Sequence, residues 1–154
     1  MFYSRRGECY ERRGNIATVR QEVLMESEES AYALLGRGLE LLDEGNPAQA
    51  AVVLERARER EPHKGSILEA LGRAYFSSHR YQVAASCFEE ALEVDPTNDY
   101  AHYCLGLCYL KLKNKQAAAG HFKLAWTLKP AEEYSMMARR FGAPVEDVAC
   151  GEEG

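Results

Sequence analysis

The stretch LEALGRAY at residues 68–75 decides the fold, because a matching stretch, HYCLGLCY, follows at residues 102–109. The same constant step, 34 positions along the chain, links small residues, prolines and large apolar residues. These are Gly38, Gly72, Gly106; Ala50, Ala84, Ala118; Ala57, Ala91, Ala125; Pro62, Pro96, Pro130; Leu41, Tyr75, Tyr109; and Leu54, Phe88, Phe122. A fixed period of this length is the sequence signature of a repeat array. We therefore place three units at 31–64, 65–98 and 99–132.

Each unit is predicted to form two amphipathic helices. The first apolar stripe of the second unit has the i, i+3, i+4, i+7 spacing of a helix and consists of Leu68, Leu71, Gly72 and Tyr75. The second stripe follows a break at 78–80 and consists of Tyr81, Ala84, Ala85, Phe88, Ala91 and Leu92. It ends before Pro96, because the residue before a proline is pushed out of helical geometry. No segment alternates with a period of two, so the pattern predicts an all-α fold.

Two further features predict how the helices are joined and packed. In the first unit Gly45 is expected to end one helix in the left-handed conformation, Asn46 to cap the next helix and Pro47 to open it. The recurring glycines and alanines are the small residues that paired helices need where they cross closely.

These motifs resemble the tetratricopeptide repeat family over 102 of the 154 residues. The resemblance implies a right-handed superhelical array of three helix-turn-helix repeats. The first unit departs from the family pattern with Arg37 in place of a leucine and Pro47 in place of an aromatic residue. The tryptophan common at the fourth position is replaced by Leu34, Leu68 and His102, and the usual turn glycine is replaced by His79 and Lys113. We expect these two turns to be slightly strained.

The flanks divide into an arm, a cap and a tail. Residues 133–142 are predicted to form a capping helix over the last unit, with an apolar stripe of Tyr134, Met137, Ala138 and Phe141. The acidic residues 143–154 are expected to be disordered. Residues 1–30 form an N-terminal arm whose first 24 residues carry a net charge of +2. Residues 21–23 can be encoded by a bacterial ribosome-binding sequence, so one hypothesis takes Met25 as the natural start; the other takes the arm as a basic binding segment.

Composition excludes several classes of protein. The net charge of −5 and the pI of about 5.5 disfavour nucleic-acid binding, which usually needs a basic surface. No apolar run approaches the roughly 20 residues of a membrane-spanning helix, and the N-terminus lacks the apolar region of a signal peptide. Five cysteines, an odd number, indicate free thiols in a reducing compartment. We expect a cytoplasmic protein without a membrane segment.

No catalytic or cofactor motif is found. The chain has no glycine-rich phosphate loop, no Gly-x-Ser-x-Gly elbow and no His-Glu-x-x-His helix, so an enzyme is not expected. Cys104 and Cys108 share a helix face near His102 and His121 and could in principle hold zinc. Small buried cysteines in helix packing are the favoured interpretation, and Cys87 is interpreted in the same way. We predict neither a metal nor a cofactor.

The resemblance implies a concave groove lined by the first helix of each unit. The residues predicted to line it are Tyr32, Leu35, Leu39, Leu42, Glu69, Arg73, Phe76, Tyr100, Tyr103, Leu107, Leu110 and Lys111. A contiguous exposed apolar patch usually marks a binding site, and tyrosine is enriched at interfaces. Some family members grip a C-terminal carboxylate with Lys and Asn at the positions that Leu35 and Leu39 hold here, so that clamp is not expected.

The predicted function is that of an adaptor that binds a protein or peptide partner in the groove, with the leucines facing an apolar helix and Glu69 and Arg73 setting its register. Two alternatives stay open. One is a chaperone similar to the class II chaperones of type III secretion, which share the size and the three units. The other is a self-assembling repeat protein, with a homodimer as its simplest form. The groove could also be covered by residues 1–30.

Overall fold

The computed structural model describes residues 29–142, which form seven helices and no strand. In chain order the helices are α1 Ala31–Asp43, α2 Pro47–Arg60, α3 Gly65–Ser77, α4 Tyr81–Val94, α5 Asp99–Lys111, α6 Lys115–Leu128 and α7 Glu132–Arg140. The first helices of the three pairs start at residues 31, 65 and 99, and the second helices start at 47, 81 and 115. The helix starts therefore repeat with the predicted period, and the predicted all-α array of helix pairs is confirmed.

The helices pack in chain order. Each helix contacts the next one along the chain, and α1 also contacts α3, as α3 contacts α5. The first helices of the three pairs consequently lie side by side in one layer, and the second helices lie behind them. This arrangement places α1, α3 and α5 on one common surface, which is the surface that the sequence predicted to carry the groove.

The repeating glycines mark the closest approach within each pair. A Cβ atom built on Gly38 would lie 2.5 Å from the side chain of Leu54, and one built on Gly72 would lie 2.5 Å from Phe88. A Cβ atom on Gly106 would lie 2.7 Å from Phe122. Glycine and the large residue sixteen positions later therefore recur together because the large side chain fills the space that a Cβ atom would need.

The turns within the pairs use one backbone conformation at equivalent positions of the three units. Gly45 has φ of 79°, and the non-glycine residues His79 and Lys113 have φ of 61° and 63°. The left-handed conformation is costly for residues with a Cβ atom, so the predicted strain at these two turns is confirmed. One detail of the prediction is wrong: Asn46 precedes Pro47 at the start of α2, but its side chain makes no capping hydrogen bond.

Helix α7 covers the end of the third pair. It runs over Glu132–Arg140, so it begins one residue before the predicted 133–142 and ends two residues earlier. Tyr134 and Ala138 are buried, and Ala138 belongs to a cluster with Phe122 of α6. Met137 and Phe141 pack against the same cluster. The four residues of the predicted apolar stripe thus face the array.

Neighbouring units are joined by a hydrogen bond that also repeats. The Tyr75 hydroxyl donates to Glu55 Oε1 at 2.7 Å, and the Tyr109 hydroxyl donates to Glu89 Oε1 at 2.6 Å. In both cases the tyrosine belongs to the first helix of a unit and the glutamate to the second helix of the preceding unit.

Among residues 29–142 no helix is long and apolar enough to cross a bilayer.

Candidate binding groove

The twelve residues predicted to line the groove lie on α1, α3 and α5, and none of them is buried. Their exposure varies along the surface. Tyr32, near the start of α1, has 80% of its surface exposed, whereas Leu35, Leu39 and Leu42 are half-buried and pack against the core. The first unit thus offers a shallow apolar surface with one projecting aromatic ring.

A pocket of about 200 Å³ lies between α3 and α5. Five of the predicted residues line it: Arg73, Phe76, Tyr100, Tyr103 and Leu107. The structure thus brings together side chains that belong to two successive units of the sequence. The predicted residues of the first unit do not line this pocket, and neither do Glu69, Leu110 and Lys111.

Three more residues complete the pocket: Ser77, Phe88 and Cys104. Phe88 was missed because it belongs to the second helix of its unit, α4. Its ring reaches the groove because Gly72 presents no Cβ atom to hold it back. Cys104 was interpreted only as a packing residue; it is indeed buried, and it also forms part of the pocket wall. The shared period of Gly72 and Phe88 is the sequence signal that could have identified the first of these.

The tyrosines and the cysteine of the pocket are held in their neutral forms. Burial, followed by the contact with Cys104, raises the pKa of Tyr100 well above its usual range. Burial and the hydrogen bond to Glu133 raise the pKa of Tyr103 to about 12. Burial is also the main reason why the pKa of the Cys104 thiol rises to about 11. A protonated thiol is a poor nucleophile and a poor metal ligand, so the pocket offers contact surface and hydroxyl groups rather than reactive groups.

Helix α7 closes the groove at the third unit. The Tyr103 hydroxyl donates a hydrogen bond of 2.8 Å to Glu133 Oε1, and its ring centroid lies 4.9 Å from that of Tyr134. Leu107 and Leu110 pack against the same apolar cluster as Met137. The capping helix therefore fixes one side of Tyr103, which leaves the side that faces the pocket available to a ligand.

The three charged residues predicted for the groove differ in whether another side chain contacts their charged group. Asn98 donates a hydrogen bond from its side-chain amide to Glu69 Oε1. Lys111 lies over the ring of Tyr81, with 5.9 Å between Nζ and the ring centroid. Within residues 29–142 Arg73 makes no hydrogen bond and no ion pair, although it lines the pocket. The sequence predicted that Glu69 and Arg73 together set the register of a ligand helix; in the structure Glu69 accepts a hydrogen bond from Asn98, and Arg73 has no such partner among the described residues.

The histidines and cysteines considered for zinc binding are arranged differently from a metal site. Nδ1 of His102 lies 3.2 Å from Nδ1 of His121, and Nε2 of His102 lies 3.1 Å from the carbonyl oxygen of Pro96. Cys104 and Cys108 are buried free thiols. In the part of the chain that the structure describes, no group of three or more His, Cys, Asp or Glu side chains is placed to hold a metal ion.

Comparison with known proteins identifies the same repeats. The sequence model of the tetratricopeptide repeat matches residues 35–85 and 69–133, which together span more than half of the chain. No curated protein matches the chain by sequence.

Three solved structures illustrate the structural likeness. MamA superposes with a TM-score of 0.73 at 21% identity, covering 79% of this chain and 71% of MamA. The first repeat domain of Spaghetti (RPAP3), bound to the HSP90 peptide SRMEEVD, gives 0.70 at 18% identity and covers 73% and 90%. The Yersinia enterocolitica type III secretion chaperone SycD, in complex with a peptide of the translocator YopD, gives 0.67 at 15% identity and covers 70% and 88%. At these identities the likeness shows the fold alone.

Proposed function

Because this chain belongs to the tetratricopeptide repeat family, we propose that it is a non-enzymatic adaptor whose groove binds a segment of a partner protein. The pocket between α3 and α5 is the observation that carries this proposal. Four aromatic rings and Leu107 line it beside Arg73, Ser77 and Cys104. It is open to the surface, and its residues come from three helices of the array. Apolar surface that stays exposed on a folded protein generally serves as a contact surface.

The size of the pocket favours a peptide over a small molecule. Sites for small molecules usually enclose about 300–1,000 Å³, whereas this pocket has about 200 Å³. Such a volume suits one large side chain of a longer ligand. The rest of that ligand would continue over the half-buried leucines of α1, where Leu35, Leu39 and Leu42 provide apolar contact.

The groove differs chemically from the carboxylate clamp that some family members carry. Leu35 and Leu39 occupy the clamp positions of the first unit, and both pack against the core. A neutral apolar surface at these positions supports recognition of an internal segment with apolar side chains rather than of a chain end. The expected affinity is about micromolar, because ordering a flexible peptide consumes much of the contact energy.

The test is affinity capture with matched surface variants. The wild type is compared with Leu107→Glu, which places a charge in the pocket, and with Leu112→Glu, which places the same charge on an exposed leucine outside it. We expect the wild type and Leu112→Glu to retain the same partner and Leu107→Glu to lose it. Retention of the same proteins by all three would refute the groove as the binding site.

The secretion-type chaperone is a more specific form of the same proposal. Its support is the structural likeness to SycD and to PcrH, which was solved in complex with the chaperone binding region of PopB. Under this hypothesis the partner captured through the pocket would be a secreted protein that is insoluble when expressed alone. A stable, folded cytoplasmic partner would favour the adaptor instead.

Self-assembly is the competing function. It predicts that the exposed aromatic and aliphatic residues of the groove bind a second copy of the chain, with a homodimer as the smallest product. Sedimentation between about 1 and 100 µM separates the hypotheses: a constant monomer at every concentration contradicts self-assembly, and a dimer that Leu107→Glu dissociates contradicts the adaptor. The acidic net charge disfavours nucleic acid as the partner.

A further inference from the structure

The two charged residues of α3 that face the groove do not form the ion pair that their spacing favours. Glu69 and Arg73 are four residues apart on one helix, an arrangement in which oppositely charged side chains usually interact. Instead, Asn98 donates from its amide nitrogen to Glu69 Oε1. The other end of the same amide, Oδ1, accepts a hydrogen bond of 3.0 Å from the backbone nitrogen of Ala101 and caps α5. Asn98 therefore uses both ends of its side chain, and the carboxylate of Glu69 has a hydrogen-bond donor other than Arg73.

Two carboxylates on α5 and α7 also accept hydrogen bonds. Glu133 accepts a hydrogen bond from the Tyr103 hydroxyl, and Asp99 accepts one of 2.9 Å from the Tyr134 hydroxyl. Arg73 makes no hydrogen bond and no ion pair with the part of the chain that the structure describes. In a chain with a net charge of −5, the pocket thus carries the cation Arg73. The carboxylates of Glu69, Glu133 and Asp99 each accept a hydrogen bond from another residue.

From this we infer that the partner segment carries an Asp or Glu side chain one or two positions from the large apolar side chain that fills the pocket, and that Arg73 selects it. This inference rests on the proposed function. A guanidinium group offers a planar set of donors that matches a carboxylate. Phe76, Phe88 and Leu107 line the same pocket as Arg73, so an apolar side chain in contact with them would lie beside the guanidinium group.

Selection from a library of displayed random nonapeptides tests the inference without a known partner. The baits are the wild-type chain, Arg73→Glu, and Lys123→Glu, which changes the net charge equally at an exposed position on α6 that does not line the pocket. We expect the wild type and Lys123→Glu to enrich peptides with Asp or Glu beside a large apolar residue. We expect Arg73→Glu to enrich Lys or Arg at that place.

One enriched peptide is then resynthesised with a fluorescent label, and its affinity is measured by anisotropy. Replacing its acidic residue with Ala should weaken binding to the wild type about two- to fivefold, within the range of a solvent-exposed ion pair. The same replacement should leave binding to Arg73→Ala unchanged. Far-UV circular dichroism and thermal unfolding of each variant establish that it is folded.

Three results overturn the inference, and they differ in what else they contradict. Enriched peptides with an apolar anchor but no acidic neighbour would overturn the role of Arg73 and leave the proposed function standing. The same would follow if the acidic preference persisted in Arg73→Glu. Failure of the folded wild type to enrich any peptide would overturn peptide binding in the groove, and the inference with it.

Discussion

The ring of Phe88 lies so close to the backbone of Gly72 that a Cβ atom on the glycine would stand 2.5 Å from Cζ of the ring. The same ring lines the groove pocket between α3 and α5. One contact therefore sets both the spacing of the second helix pair and the depth of the candidate site.

Gly72→Ala should destabilise the fold, because the added methyl group must displace the Phe88 ring. Overpacking of this kind costs about 1–3 kcal/mol in the free energy of unfolding. Gly120→Ala is the matched control: Gly120 lies inside α6 with nothing within 4 Å of the added atom. Alanine there should stabilise the fold by about 0.5–1 kcal/mol. Urea denaturation measures both, and equal effects of the two substitutions would contradict the close contact.

Lys113→Gly should stabilise the protein, because Lys113 holds a φ of 63° that glycine adopts without strain. The relief of strain, less the greater flexibility of glycine in the unfolded chain, leaves a gain of about 0.5–1 kcal/mol. Lys123→Gly, in the middle of α6, should instead lose about 1 kcal/mol. Thermal unfolding of the two variants checks the difference in sign.

The fold should lose stability as the pH rises from 10 to 12. Burial, followed by the hydrogen bond to Glu55, raises the pKa of Tyr75 to about 12, and the hydrogen bond to Glu89 is the main reason for the same rise in the pKa of Tyr109. A raised folded-state pKa contributes stability that is complete below the unfolded value of about 10 and is lost as the pH passes the folded value. In the double variant Tyr75→Phe, Tyr109→Phe the slope of unfolding free energy against pH should be smaller. An unchanged slope would contradict the role of these two hydroxyls.

Acid should loosen the third helix pair. The carbonyl oxygen of Pro96 can only accept a hydrogen bond, so Nε2 of His102 donates to it. The other ring nitrogen of a neutral His102, Nδ1, then accepts a hydrogen bond from Nδ1 of His121. Burial, and then the neighbouring His102, lower the pKa of His121, while Glu89 of α4 raises it less. A lowered histidine pKa means that the unfolded chain takes up a proton first, so stability falls as the pH drops below about 6.5. His121→Gln should reduce this loss, which unfolding curves between pH 7.5 and 5 would reveal; a steeper loss in the variant would contradict it.

The helical array could be predicted because its determinants are local and recur. The left-handed turns at His79 and Lys113 follow from the repeat, since these two residues hold the position in their units that Gly45 holds in the first. The pairing of charges could not be predicted in this way. Local spacing favours Glu69 with Arg73, but the capping amide of Asn98, 29 residues away from Glu69, competes for the carboxylate.

The same limit applies to the pocket. Five of its first-helix residues followed from the family register, whereas Phe88 reaches the groove through a gap that only the packed helix pair defines. Tyr103 was predicted as a groove-lining residue, and its hydrogen bond to Glu133 depends on where α7 packs. Both features depend on contacts between helices that are distant in sequence, and the spacing of residues along the chain does not show such contacts.

The joints on the two sides of the second unit share one hydrogen bond, since Tyr75 donates to Glu55 as Tyr109 donates to Glu89. Residues 65–98 therefore carry the donor of this hydrogen bond, Tyr75, at one edge and the acceptor, Glu89, at the other. The joints differ in charge: Arg58 and Glu90 form an ion pair at the first joint, whereas Leu92 and Leu124 hold the equivalent positions of the second. A second copy of this block, spliced in after residue 98, would form the tyrosine–glutamate hydrogen bond at both of its edges, but its Glu90 would face Leu92 instead of an arginine. Gene duplication could thus lengthen the binding surface by whole units, with the tyrosine–glutamate hydrogen bond kept at each joint and the ion pair kept only at the first.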